Sequence, residues 1–179
     1  PGHPTVRQQQ DVFEDAVRTA ESAGFELEVR HIANSAATLT NPSTHYDLVR
    51  PGIACYGLSP VPDLGGPAAY GLTPVMTLLA RLALVKDVPE GTGLSYSHHY
   101  VTPSDTRVGL VLLGYADGIP RSASGAGPMT IDGRRYAVAG RVCMDQVVVD
   151  LGPESAARAG DIAVLFGPET AGGPSAQDW

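Results

Sequence analysis

Lysine is almost missing from this sequence: Lys86 is the only one in 179 residues, so the other eleven of its 12 basic residues are arginines. With a net charge of −7, the chain has no basic stripe to replace phosphate counterions, which argues against a nucleic-acid surface. Cysteine is nearly as scarce. Cys55 and Cys143 lie far apart with no Cys-x-x-Cys spacing, so neither a zinc site nor a disulfide framework is expected, and a reducing, cytoplasmic setting fits. No apolar run approaches the roughly eighteen residues of a membrane span, because Gly, Pro or a charge interrupts each candidate, including 108–114. No charged-then-apolar leader follows Pro1. Because the first residue is not Met and Trp179 ends the chain without a break signal, a piece of a longer protein, open at both ends, is expected.

What is present is the composition of an ordinary globular protein, 43% apolar and 17% charged, enough for one substantial core or two small ones. Thr5 reads as an N-cap. Val12, Phe13, Ala16, Val17, Ala20 and Ala23 then recur at helical spacing up to Gly24, a good residue just past a helix end. Residues 27–32 read as a strand, 35–39 as one or two helical turns, and 46–49 as another strand before Arg50-Pro51-Gly52. After the Pro/Gly-rich stretch 60–74 the texture changes to β-rich runs at 75–88, 108–113, 136–142, 146–151 and 162–166. Asp132-Gly133 is the clearest hairpin turn. The expectation is an α/β part over residues 1–70 followed by an antiparallel β domain over 71–179.

Four segments carry chemistry-bearing residues. Asn34 and Ser35 open a helical turn after a strand, where backbone N–H groups bind anions, although both are also ordinary caps. Arg50-Pro51-Gly52-Ile53 follows the next strand, and Gly52 permits close approach of a ligand to the backbone; a surface ion pair and a plain turn remain the alternatives. Two such strand ends in succession suggest a phosphate pocket of the kind βα-barrels build after their last strands. Gly114-Tyr115-Ala116-Asp117-Gly118 puts a phenol and a carboxylate on a turn, with a half-buried turn tyrosine as the alternative. Cys143-Met144-Asp145-Gln146 interrupts a strand pattern with a polar pair, and a core Cys and Met beside a solvent-facing Asp accounts for it equally well. His98-His99 reads as a loop pair, and no spacing suggests a metal site.

In order, H-x-A-N-S-A-A from His31, V-R-P-G-I-A-C-Y-G from Val49, G-x-S-Y from Gly93, G-Y-A-D-G from Gly114 and G-R-V-C-M-D-Q from Gly140 resemble the alanine racemase family. The resemblance implies the last part of a TIM-type βα-barrel that binds pyridoxal phosphate, followed by a C-terminal antiparallel β domain, in a homodimer whose subunits share active sites. It implies interconversion of L- and D-alanine by two-base proton transfer on a pyridoxal-phosphate aldimine, supplying D-alanine for peptidoglycan.

The same resemblance implies that Asn34, Ser35, Gly52 and Ile53 contact the cofactor phosphate and that Arg50 meets the pyridine nitrogen. It gives Tyr115 as the base serving the L-alanine face in the partner's pocket, Met144 as a backbone contact to substrate, and Cys143 and Asp145 as entrance residues. The family's Schiff-base lysine, the histidine partner of its tyrosine and a substrate-binding arginine would lie before Pro1, and a second entrance tyrosine beyond Trp179. The context of Lys86 does not match the cofactor lysine's motif. This chain alone is therefore expected to be an inactive fragment. Two alternatives stay open: a broad-specificity pyridoxal-phosphate racemase, or a non-catalytic remnant used for dimerisation or ligand binding.

Overall fold

A computed structural model describes residues 2–168 and 173–179. The chain divides into two compact units, Pro1–Pro74 and Val75–Trp179.

The first unit opens with helix α1, Pro4–Ser22. Its cap is two residues earlier than the sequence suggests: His3, not Thr5, is the N-cap, and its ring Nδ1 accepts the Thr5 N–H at 3.3 Å. Pro4 makes this start favourable, since proline fits the first helical turn, where its missing N–H would have no partner. The helix stops at Ala23, and Gly24 takes φ +84°, the left-handed conformation that glycine adopts without a Cβ penalty. No residue of α1 is buried; from its apolar stripe Phe13 meets Tyr46, the ring centroids 5.0 Å apart.

Two expected strands are not formed. Residues 27–32 and 46–49 have the β-rich pattern but no ladder, because extended parallel segments need neighbours on which to place their hydrogen bonds. Here they meet each other through the Asp47 N–H, which donates to Arg30 O at 3.1 Å, and just beyond their ends at one parallel bridge, Asn34 to Arg50, with the Arg50 N–H donating to Ala33 O at 2.9 Å. The Arg30 guanidinium grips Asp47 through Nε at 2.8 Å and Nη2 at 3.2 Å, which holds the Asp47 carboxyl down at about 2. Helix α2, Ser35–Thr40, forms where helical turns are expected.

The second unit is β throughout: β1 Leu78–Val88, β2 Gly93–Leu94, β3 Tyr100–Val101, β4 Thr106–Val111, β5 Pro128–Ile131, β6 Arg134–Ala137, β7 Val147–Asp150 and β8 Ile162–Phe166. Six strands form one antiparallel sheet in the order β6-β5-β8-β1-β4-β7, and β2 pairs with β3 in a separate hairpin. The long strand β1 pairs with β8 through 78–81 and with β4 through 82–88, with a register shift in each pairing. Such irregularities bend a strand and let a sheet curl. The curl nearly closes: just past β6, Val138 bridges Val149 of β7, and the Ala139 N–H donates to Val148 O at 2.7 Å. The expected strand over 136–142 is thus split, since Ala137 ends the pairing with β5 and the following residues turn to β7.

Asp132 and Gly133, at φ +48° and +71°, connect Ile131 to Arg134 as a two-residue hairpin turn, as their sequence suggests. Leu82, Val111, Met129, Ile131, Val147, Val149 and Leu165 fill the interior with essentially no exposure. Burial at this level contributes roughly 1.5–3 kcal/mol per large aliphatic side chain.

The β2–β3 hairpin is tied to the sheet through one carboxylate. Tyr100 OH donates to Asp150 Oδ2 at 2.7 Å, and Thr106 Oγ1 donates to Asp150 Oδ1 at 2.6 Å. Burial, reinforced by the adjacent carboxylate, pushes the Tyr100 phenol up to about 12. The folded value lies above the unfolded value of about 10, so the neutral phenol's contribution to stability is complete below about pH 10 and is lost as the pH rises through about 12. An absorbance titration is expected to show a tyrosine step near 12 that disappears in Tyr100→Phe; the same step persisting in the variant would refute the assignment.

No helix among the described residues is long and apolar enough to cross a membrane.

Candidate active site

In the first unit the two anion-competent turns are brought together. Asn34 is the N-cap of α2, its Oδ1 accepting the Ala37 N–H at 3.0 Å, so the capping reading of this residue holds. Its cap takes only one of the opening N–H groups of α2, and the earlier ones have no intrahelical acceptor by the geometry of any α-helix. Ser35 is buried, and its Oγ accepts the Ala54 N–H at 3.3 Å across the gap between the turns. Having accepted, that hydroxyl keeps its own proton for another acceptor. Gly52 caps the short 3₁₀ turn Ile53–Tyr56, and a Cβ built on it would meet nothing within 4 Å, so open space faces its backbone. Ile53 is exposed.

Arg50 lies at the strand-like bridge, with Nη1 hydrogen-bonded to His31 Nδ1 and Nη2 donating to Ile32 O at 3.4 Å. The guanidinium, though exposed, is therefore held by two neighbours. His31, whose ring holds it, is a positioning partner that spacing gave no reason to single out. Hydroxyl, amide, open glycine and guanidinium together form a donor set suited to an anionic heteroaromatic ligand.

In the second unit the two loop motifs dock on each other through the backbone. Residues Tyr115–Asp117 form a 3₁₀ turn after β4; Tyr115 N–H donates to Cys143 O at 2.9 Å and Ala116 N–H to Met144 O at 2.8 Å. Asp117 turns back to accept the Gly114 N–H at 2.9 Å. Gly114 is where only glycine fits, because an added Cβ would lie 2.4 Å from Cys143 O and 2.5 Å from Asp145 N, both backbone atoms that cannot step aside. The conjunction of G-Y-A-D-G with V-C-M-D-Q is thus a packing requirement. Cys143 is buried, whereas Met144 and Asp145 are exposed on the turn. The Tyr115 ring carries the Arg121 guanidinium 5.5 Å from its centroid, within cation–π range. Arg121 lies six residues downstream and had no signal in the sequence.

A second tyrosine stands out for its backbone. Tyr96 is 68% exposed, the most exposed of the large apolar or aromatic side chains, on the loop joining β2 to β3. Its neighbours Ser95, Ser97 and His98 have φ of +62°, +60° and +48°, and none is glycine. Left-handed non-glycine residues cost on the order of 1–3 kcal/mol each and cluster at functional sites. Gly93 makes the loop possible: a Cβ there would sit 2.4 Å from the His98 ring. The G-x-S-Y motif was visible in the sequence; its strain was not, because strain has no spacing.

Lys86 is exposed near the C-terminal end of β1, paired in register with Val108. Among the described residues no group of His, Cys, Asp or Glu is arranged to hold a metal ion.

The family comparisons agree with one another. The model of the alanine racemase C-terminal domain matches residues 75–179, and that of the alanine racemase N-terminal domain matches residues 1–60. An alanine racemase of Streptomyces coelicolor is 59% identical over 182 residues, covering 100% of this chain and 46% of that protein. One of Frankia casuarinae is 55% identical over 179 residues with the same coverage. Among solved structures, the alanine racemase from D-cycloserine-producing Streptomyces lavendulae aligns with a TM-score of 0.96 at 59% identity, over 100% of this chain and 47% of that one. The Pseudomonas aeruginosa biosynthetic alanine racemase aligns at 0.82 and 39% identity, over 99% of this chain and 46% of that one. The chain spans about half the length of the curated relatives it matches. With a C-terminal antiparallel β domain in a nearly closed sheet and an α/β part before it, the chain belongs to the alanine racemase family.

Proposed function

We propose that this chain supplies the phosphate-side cofactor contacts and one of the two proton-transfer groups of an alanine racemase that interconverts L- and D-alanine. The observation that carries this reading is the pairing of the turns at Asn34-Ser35 and Gly52-Ile53, joined by the hydrogen bond from Ala54 N–H to Ser35 Oγ, with Arg50 beside them. That donor set fits pyridoxal phosphate. Asn34, Ser35, Gly52 and Ile53 would hold its phosphate, and Arg50 would face its ring nitrogen. When bound, the cofactor supplies the electron-withdrawing ring that acidifies the amino acid's Cα–H.

A guanidinium donates hydrogen bonds and accepts none, so a ring nitrogen facing Arg50 stays unprotonated and withdraws electrons only moderately. That favours return of the proton to Cα over its loss to transamination. Inversion needs a proton carrier on each face of Cα, since one carrier would return the proton to the side it left. One carrier is a phenol of the β unit. The motif resemblance assigns this role to Tyr115; the strained loop favours Tyr96, with Tyr115, under Arg121, lining the approach together with Cys143 and Asp145. Met144 meets the substrate through its backbone. The other carrier, the cofactor-bearing lysine, belongs to a segment these residues do not supply: Lys86 sits within the β sheet.

The rest of the reading is a homodimer with shared active sites, a cytoplasmic location and a role in supplying D-alanine for peptidoglycan. A full-length racemase carrying these 179 residues is expected to racemise alanine in preference to serine and lysine. Equal rates on all three would favour the broad-specificity reading, and no turnover at all would favour the non-catalytic one.

A further inference from the structure

We propose that Ser95 is a positioning residue for proton transfer: its hydroxyl clips the strained Tyr96 loop to the backbone of Arg141, and so to the turn that carries Cys143 and Met144. The inference rests on the reading of Tyr96 as a proton carrier.

Ser95 Oγ donates to Arg141 O at 2.8 Å and accepts from Arg141 N–H at 3.1 Å, so one hydroxyl takes both backbone groups of a single residue 46 positions away. The same oxygen lies 3.5 Å from Cys143 Sγ. These contacts require an unusual backbone. Ser95 has φ +62° and ψ −173°, a region that is essentially glycine's own, yet the residue is a serine. Its Cβ is packed tightly as well: a Cβ on Gly140, at φ +89°, would come within 2.8 Å of it. Two positions are thereby constrained in opposite senses. Gly140 leaves room for a side chain at 95, and position 95 carries a side chain where glycine would be relaxed.

Stability alone does not explain this arrangement. Arg141 is exposed, so water can satisfy its N–H and C=O if the hydroxyl is removed, and glycine at 95 would relieve the backbone. What water and glycine cannot do is fix the direction in which the adjacent Tyr96 phenol points. The clip joins the G-x-S-Y loop to the V-C-M-D turn, which already holds the G-Y-A-D-G turn through the Tyr115 and Ala116 N–H groups. Three motif segments separated in sequence are thus tied into one backbone unit.

The test compares S95G, S95A and Y96F in the full-length racemase carrying these residues. S95G is expected to match or exceed the thermal stability of the unaltered enzyme while its kcat falls by about 10–100-fold, with KM changed far less; misplacing a reacting group by about 1 Å costs rates of this order. S95A, which keeps a side chain in the strained region, is expected to lose kcat to a similar degree and to be no more stable. In both, the isotope effect with α-deuterated L-alanine is expected to rise above that with the D-enantiomer, because only the phenol's face is disturbed. Full turnover of S95G and S95A beside a crippled Y96F would overturn the clip while leaving the Tyr96 reading intact. Full turnover of Y96F would overturn both. A loss of kcat that merely tracks loss of thermal stability across the serine variants would also overturn the proposal.

Discussion

Replacing Tyr96 by Phe in the full-length racemase is expected to lower kcat for alanine by about 10²–10⁴-fold, the usual contribution of a positioned acid/base group, with little change in cofactor content. Phenylalanine retains the ring and removes only the oxygen that carries the proton. Tyr115→Phe is expected to cost less, since its ring, under Arg121 at 5.5 Å, keeps its packing and its docked backbone. The discriminating measurement is solvent deuterium wash-in starting from each enantiomer. The deeper loss from L-alanine should belong to Tyr96→Phe. If Tyr115→Phe shows it instead, the motif assignment stands and the strained loop has another purpose.

Arg50→Glu is expected to lower racemisation on the order of 10²-fold, comparable to removing a preorganised charged donor from an active site, and to raise pyruvate formation relative to racemisation. The carboxylate would favour a protonated ring nitrogen and a stronger electron sink, so more of the removed protons would return at the wrong carbon. It would also lose the hydrogen bond to His31 and the 3.4 Å contact to Ile32 O, so Arg50→Lys serves as the control for lost packing with charge retained. An unchanged ratio of pyruvate to D-alanine in Arg50→Glu would rule out contact with the ring nitrogen.

The parts of the fold that could be read in advance are those whose causes are local. The Asp132-Gly133 turn needs two positive φ values in succession, and few residue pairs accept them. Strand β8 fills the run at 162–166 because alternation and its flanking breaks agree, and α2 begins where Asn34 caps it. Residues 27–32 and 46–49 were misread for the converse reason: their pattern is that of parallel strands, and a pattern cannot report whether partners are present to receive the hydrogen bonds.

The candidate site divides in the same way. Asn34, Ser35, Arg50 and Gly52 could be singled out because caps, glycines and an arginine at strand ends have local signatures. Arg121 over Tyr115, His31 against Arg50 and Ser95 against Arg141 could not, because each depends on a contact made only once the chain has folded.

The near-closure of the β unit has a consequence for assembly. An open sheet ends in two strands whose outward N–H and C=O groups invite any extended segment to pair with them. Here the segment just past β6 turns to β7, and the seam is held by the Val138–Val149 bridge and the hydrogen bond from Ala139 to Val148. Past the seam, Asp150 at the end of β7 is already occupied by Tyr100 and Thr106. A partner therefore finds few vacant rungs at that junction, and recognition of this unit has to proceed through loops and side chains, where the tyrosines, arginines and strained serine are found.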